Sequence, residues 1–169
     1  SSPTVGIILK GADRFLHNFG SENTFLGINA GNFTMTGYQN TSVGNFSLNV
    51  NTTGFENTSE GNYSLRSNTL GYRNTSVGYA SLYTNIMGNH NTALGNSSLF
   101  SNTGNFNTAV GSSSLFGNTT GSNNTAVGYQ SLFSNSSFNN TTVGYQSLFS
   151  NTTGGNNTAV GYHALYSNT

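Results

Sequence analysis

Residues 124–135 read Asn124-Thr125-Ala126-Val127-Gly128-Tyr129-Gln130-Ser131-Leu132-Phe133-Ser134-Asn135. The same order of residue types recurs along the chain. An Asn-Thr pair, with Gly three positions after the Thr, begins at Asn23, Asn40, Asn57, Asn74, Asn91, Asn107, Asn124, Asn140 and Asn157. Successive starts differ by seventeen in six cases and by sixteen in two. Nine units, the last of them shorter, therefore cover residues 23–169. A fixed period of this kind signals a repeat architecture.

Within the unit, the first two positions are always Asn and Thr, and the fifth is always Gly. The fourth is Val or Leu except at Glu60, the ninth Leu except at Gly31, and the twelfth Asn except at Thr34. So short a period cannot hold two helices and their turns, and its Gly and β-branched residues disfavour helix. Two short extended runs separated by turn-forming Ser, Asn, Thr and Gly fit one coil of a solenoid. The expected fold is all-β, a parallel β-solenoid of about nine 16–17-residue coils. Stacked coils bring like residues to about 4.8 Å, the spacing of hydrogen-bonded strands. On that register the fourth-position Val and the ninth-position Leu are expected to form two inner apolar columns. The Asn columns are expected to form side-chain amide ladders. Glu60 in the Val column is the difficulty: it sits at a coil edge near Arg66 or Arg73, or it marks a distortion.

Composition narrows the function classes. Asn, Ser, Thr and Gly dominate the chain, and only 5% of it is charged. After Arg73 the sequence contains no Asp, Glu, Lys or Arg. That excludes an electrostatic nucleic-acid binder, which needs clustered Lys and Arg to displace counterions from phosphate. It also excludes a basic membrane-surface helix, and no apolar run approaches the length of a transmembrane span. Aromatics make up 12% of the chain, which sets it apart from ordinary disordered sequences. The sequence has no Cys, so there are neither disulfides nor thiolate metal sites.

Units such as 124–132 resemble the head repeats of YadA-like trimeric autotransporter adhesins. They are also similar to the related Asn-Thr-Ala-Val-Gly-Tyr repeats of bacterial surface and tail-fibre-like proteins. The lead-in Phe15-Leu16-His17-Asn18-Phe19-Gly20 resembles the entry to such arrays. The resemblance implies a left-handed roll, an extracellular or cell-surface location, and a binding or fibre-forming role without catalysis. The adhesin units are shorter, which implies different turns here.

The domain reading is an N-terminal entry cap, 1–22, and a repeat array, 23–169. Val5-Gly6-Ile7-Ile8-Leu9 repeats the Val-Gly pair and is expected to form a coil with a longer turn. An array ending without a cap presents unpaired strand edges, which recruit another chain. Val5, Ile7, Ile8 and Leu9 are therefore expected to dock on Val160 and Leu165 of another copy. The result is a head-to-tail filament, with a trimer as the alternative self-assembly.

Titratable residues are too sparse for a convincing catalytic constellation. Asp13, His17 and a serine lack nucleophile-elbow context, and a cap salt bridge with a surface His is the expectation. His90 and His163 fall at different unit positions, and one Asp does not make a calcium-binding solenoid. No cofactor or metal is expected. Asn-X-Ser/Thr sequons are frequent. Those of Asn40, Asn57, Asn74 and Asn140 belong to the inner ladder and stay bare. The glycosylation candidates are Asn32, Asn45, Asn62, Asn96, Asn118, Asn123, Asn135, Asn139, Asn151 and Asn156. Aromatic stripes at the sixth and tenth positions either stack coil over coil or offer faces to sugars. The expected function is an extracellular structural or adhesive fibre module, the alternative a receptor- or glycan-binding head meeting glycans or a host surface. An ice-binding solenoid is the minor alternative, because the second-position Thr form a regular column. Against it stand the single rank of Thr and the prospect that these Thr point inward.

Overall fold

Thr and Val on either side of a small residue favour extended backbone, and every unit folds its second to fourth positions, Thr-x-Val in six of the nine, into a three-residue strand. The computed structural model describes residues 7–168 and is all-β, a parallel β-solenoid of about eight turns with ~17-residue coils. The strands in chain order are β1 (Ile8–Lys10), β2 (Asp13–His17), β3 (Thr24–Leu26), β4 (Thr41–Val43), β5 (Thr58–Glu60), β6 (Thr75–Val77) and β7 (Thr92–Leu94). They continue with β8 (Thr108–Val110), β9 (Thr125–Val127), β10 (Ser134–Asn135), β11 (Thr141–Val143), β12 (Ser150–Asn151) and β13 (Thr158–Val160). These nine strands of the repeat units pair in parallel and in register, Thr beside Thr and fourth position beside fourth position. Only β10 and β12 form a separate two-stranded sheet.

Each coil bends at residues held in the left-handed backbone region. In the unit 124–139, φ is 51° at Gln130, 54° at Leu132 and 60° at Asn139. A non-glycine residue there costs on the order of 1 kcal/mol and persists only where its surroundings enforce it. The adjoining coils enforce it through hydrogen bonds of opposite direction. The Gln130 N–H donates back to Ser112 O at 3.0 Å, and that of Leu132 donates forward to Ser147 O at 2.9 Å. The fifth-position Gly has a different reason. Its φ lies between 126° and 138° in every unit, and a Cβ on Gly111 would stand 2.5 Å from the Gly128 carbonyl oxygen. Coils stack at strand spacing only because nothing projects there.

The core corrects one expectation. Leu48, Leu65, Leu82, Leu99, Leu115, Leu132 and Leu148 are fully buried and form the inner apolar column. The Val column is not its partner: Val43, Val143 and Val160 are exposed, and Val77, Val110 and Val127 are half-buried on the outer face. In a strand successive side chains alternate faces, so the third position points in while the second and fourth point out. The third position is Ser, Ala or Thr in eight units and buried in all nine. From Leu48 to Leu148 the interior holds one large side chain per coil, and the first unit buries Met35 besides Phe25. The first unit also exchanges the roles of the third and ninth positions. Phe25 is large at the third position, Gly31 replaces the ninth-position Leu, and a Cβ on Gly31 would lie 2.6 Å from the Phe25 ring. Glu60 then presents no difficulty, because it stands exposed in the outer column. Arg73 pairs with Glu56 at 2.7 Å, not with Glu60.

Two Asn columns close the interior. The first-position Asn107 side chain donates to Gly121 O at 2.8 Å, and its Oδ1 accepts the Asn124 backbone N–H at 3.0 Å. The twelfth-position Asn118 donates to Asn102 Oδ1 and to Gly121 O, both at 2.8 Å. The ladders are buried from Asn23 to Asn140 and from Asn51 to Asn151, so these amides find their hydrogen-bond partners without water. Buried serines form a third network. Ser47, Ser59, Ser64, Ser76 and Ser81 run hydroxyl to hydroxyl at 2.5–2.8 Å. Further on, third-position Ala replaces Ser, and Ser98 and Ser114 turn to the Gly95 and Gly111 carbonyls at 3.0 and 3.2 Å.

The entry segment is not a coil, a second correction. β1 and β2 form an antiparallel hairpin around Gly11-Ala12, and β2 pairs antiparallel with β3. Gly11 has φ 67° and leads a two-residue loop, which suits a tight hairpin turn. The reversal puts Ile8 and Leu9 on an outer strand, while Val5 lies outside the described residues.

The two Leu and Val columns separate in a mutational test. Leu115→Ala removes a fully buried side chain and should cost about 2–5 kcal/mol. Val127→Ala should cost well under half as much in the same thermal melt. Equal losses would restore Val to the interior.

Candidate functional site

Alternation along each strand sends the Thr and Val columns to one outer face of the sheet. Thr24, Thr41, Thr58, Thr141 and Thr158 are exposed and the four between them half-buried. The Thr column points outward, not inward. The turn threonines differ: Thr52, Thr69, Thr84 and Thr103 donate their hydroxyls to carbonyls of the next coil at 2.5–3.3 Å.

The tenth position forms a continuous aromatic stack. Tyr83, Phe100, Phe116, Phe133, Phe149 and Tyr166 follow one another with centroids 5.0–5.1 Å apart and planes within 11°. Tyr129, Tyr145 and Tyr162 stack at the sixth position, with centroids 5.3 Å apart and planes within 18°. Tyr38, Phe55 and Tyr72 form a third stack that the sequence reading did not single out. Offset stacking satisfies the rings' quadrupoles against each other. The ring faces are thereby covered by neighbouring rings, leaving edges and Tyr hydroxyls toward solvent.

His17 is buried, not on the surface. Its Nε2 donates to Ala30 O at 2.7 Å, its Nδ1 accepts the Phe19 N–H at 3.4 Å, and its ring lies against Phe25 and Phe33. Burial lowers its pKa below the ordinary value, and the nearby Arg14 charge adds to this. Among the described residues neither Asp13 nor a serine hydroxyl hydrogen-bonds the imidazole, so Asp13, His17 and Ser form no triad there. The expected Asp13 salt bridge is also absent among the described residues, and Arg14 instead lies 3.7 Å over the Phe33 ring. His90 stacks on Phe106, and His163 stacks on Tyr162 while meeting Gln146 Oε1 at 2.8 Å. Among the described residues no three His, Asp or Glu converge as a metal site.

The glycosylation candidates divide by position. Asn62, Asn96, Asn123, Asn139 and Asn156 are exposed, and Asn32 and Asn45 are half-buried. Asn118, Asn135 and Asn151 are corrected. They belong to the buried twelfth-position ladder, and a glycan there would break it. Of the assembly residues, Ile7 is half-buried, and Ile8 and Leu9 are 56% and 58% exposed on β1. Val160 and Leu165 are 68% and 50% exposed, against 0% for the seven Leu before it in the column.

A scan against protein-family models and searches of the curated proteins and the solved structures found no match.

The His17 environment fixes a pH dependence. The folded pKa is depressed below the ordinary value of 6.5. Its stabilisation is therefore fully present above that value and is lost as pH falls through the folded pKa. The melting temperature should fall more between about pH 7.5 and about pH 5 in the wild type than in His17→Gln, which cannot charge. Parallel pH profiles for the two proteins would show that His17 does not couple protonation to the cap.

Proposed function

We infer that the chain is an extracellular structural or adhesive fibre module that acts without catalysis. The observation that carries the reading is the continuity of its inner ladders. Each first-position Asn from Asn40 to Asn157 donates its backbone N–H to the Asn side chain one coil earlier, and buried Leu follows buried Leu from Leu48 to Leu148. In a solenoid each coil is held by its neighbours alone, so length adds as identical increments and the product is a rod. The resemblance to adhesin and tail-fibre-like repeats points the same way, as does a surface of amides and hydroxyls with few charges. The exposed sequon asparagines are compatible with a glycan-bearing surface.

Self-assembly is part of this reading. Leu165 is half-exposed where its column mates are buried, and another copy seated on it would cover it. The N-terminal hairpin offers Ile8 and Leu9 on an outer strand for that contact. Such a contact is heterologous and propagates without closing.

Small-angle scattering should return a rod whose array measures about 40 Å, eight rises at strand spacing. Electron micrographs should show end-to-end filaments that disappear when residues 1–9 are deleted. A compact particle would overturn the rod. Filaments of unchanged axial repeat after the deletion would overturn docking through the hairpin.

A further inference from the structure

Turning the Thr column outward also creates a second rank beside it. Second- and fourth-position side chains lie two residues apart on the same face, about 6.7 Å along the strand. The ranks repeat every rung, about 4.8 Å, through nine strands paired in register. The face is thus a two-dimensional lattice of Thr hydroxyls and methyls beside Val or Leu methyls. From Thr75 to Val160 it carries no charge, and only Glu60 interrupts it earlier.

The hydroxyls are unspent. Among the described residues, none of the nine second-position Thr makes a side-chain hydrogen bond to the protein, whereas the turn Thr52, Thr69, Thr84 and Thr103 all do. Each can hold a water. The flanking methyls limit that water to cage-like arrangements, since apolar surface offers it no partner.

Three occupants compete for such a face. A charged ligand finds no counter-charge in the uninterrupted part. A second copy finds too little area. Eight rises by the distance between two side-chain ranks give a band of about 260 Å², about a third of the roughly 800 Å² per partner of a standard interface. A parallel symmetric assembly would also bring Glu60 of each copy toward the others in a neutral seam, where an unpaired charge is costly. Ordered water has neither difficulty. We propose that the Thr/Val face of β3–β9, β11 and β13 binds ice, its rung repeat lying close to the oxygen-row spacing on ice surfaces. The inference goes beyond the fibre reading and rests on the fold alone.

The test is ice shaping and thermal hysteresis of the purified chain, with three variants checked for unchanged circular dichroism. The wild type should facet ice and show hysteresis. Thr108→Tyr, which raises a bulky ring from the centre of the face, should lose it. Thr103→Tyr, at a turn away from the face, should keep it. Glu60→Val, which extends the uninterrupted lattice to all nine rungs, should increase it. No ice shaping by the folded wild type would overturn the proposal, as would equal activity in Thr108→Tyr. Sedimentation supplies a further overturning result, an oligomer that Thr108→Tyr alone dissociates, because a second copy would then occupy the face. None of these results bears on whether the chain is a rod, which scattering reads separately.

Discussion

Everything in this solenoid depends on the side-chain amide of Asn bridging one coil to the next. Backbone hydrogen bonds between coils continue beyond the three-residue strands, as from Gln130 to Ser112 and from Leu132 to Ser147, but the first-position N–H has no backbone acceptor. At the first position the gap is closed by side chain. The backbone N–H of Asn57, Asn74 or Asn91 donates to the Oδ1 of the Asn one coil earlier at 3.0 Å. The same side chain's Nδ2 reaches a turn carbonyl, Gly71 for Asn57 and Gly88 for Asn74. Serine is too short to span this, and aspartate lacks the donor. An unpaired buried amide or carbonyl costs about 1–3 kcal/mol, and the array would incur that at every coil.

The second constraint is volume. With Asn amides walling the interior, each coil from Leu48 to Leu148 has room for one large apolar side chain, and the ninth-position Leu takes it. The third position must be small, and the exchange of Phe25 with Gly31 demonstrates the same total volume divided differently. Excluding Val from the interior gives the outer sheet face its two ranks. The regularity of that face is a consequence of what the interior cannot hold.

The period, the all-β solenoid, the Leu column and both Asn columns were legible because each is a near-invariant position with a single physical use. Which face the Val column occupies was not, because alternation along a strand fixes the relation between positions but not which set points inward. Two features carried the missing information. Glu60 marks the fourth position as outward, and Phe25 with Gly31 marks the third as inward. The left-handed corners had no sequence signal. A Leu with positive φ contradicts local preference, and Leu115 and its column mates are held there only by adjoining coils. The hairpin cap was signalled by Gly11-Ala12 between extended runs, but the Val-Gly pair at residues 5–6 suggested a coil instead. His17 is buried by Phe25 and Phe33, both peculiar to the first unit, so the repeat pattern could not reveal it.

Amide hydrogen exchange measures the Asn ladder most directly. The account predicts that the backbone N–H of Asn124, whose acceptor is the Asn107 side chain at 3.0 Å, exchanges as slowly as the neighbouring strand amides of β9. Asn107→Ala should release that amide selectively, while Asn96→Ala, at an exposed position, should leave it protected. Rapid exchange of the Asn124 amide in the wild type, at the rate of an open turn, would contradict the account.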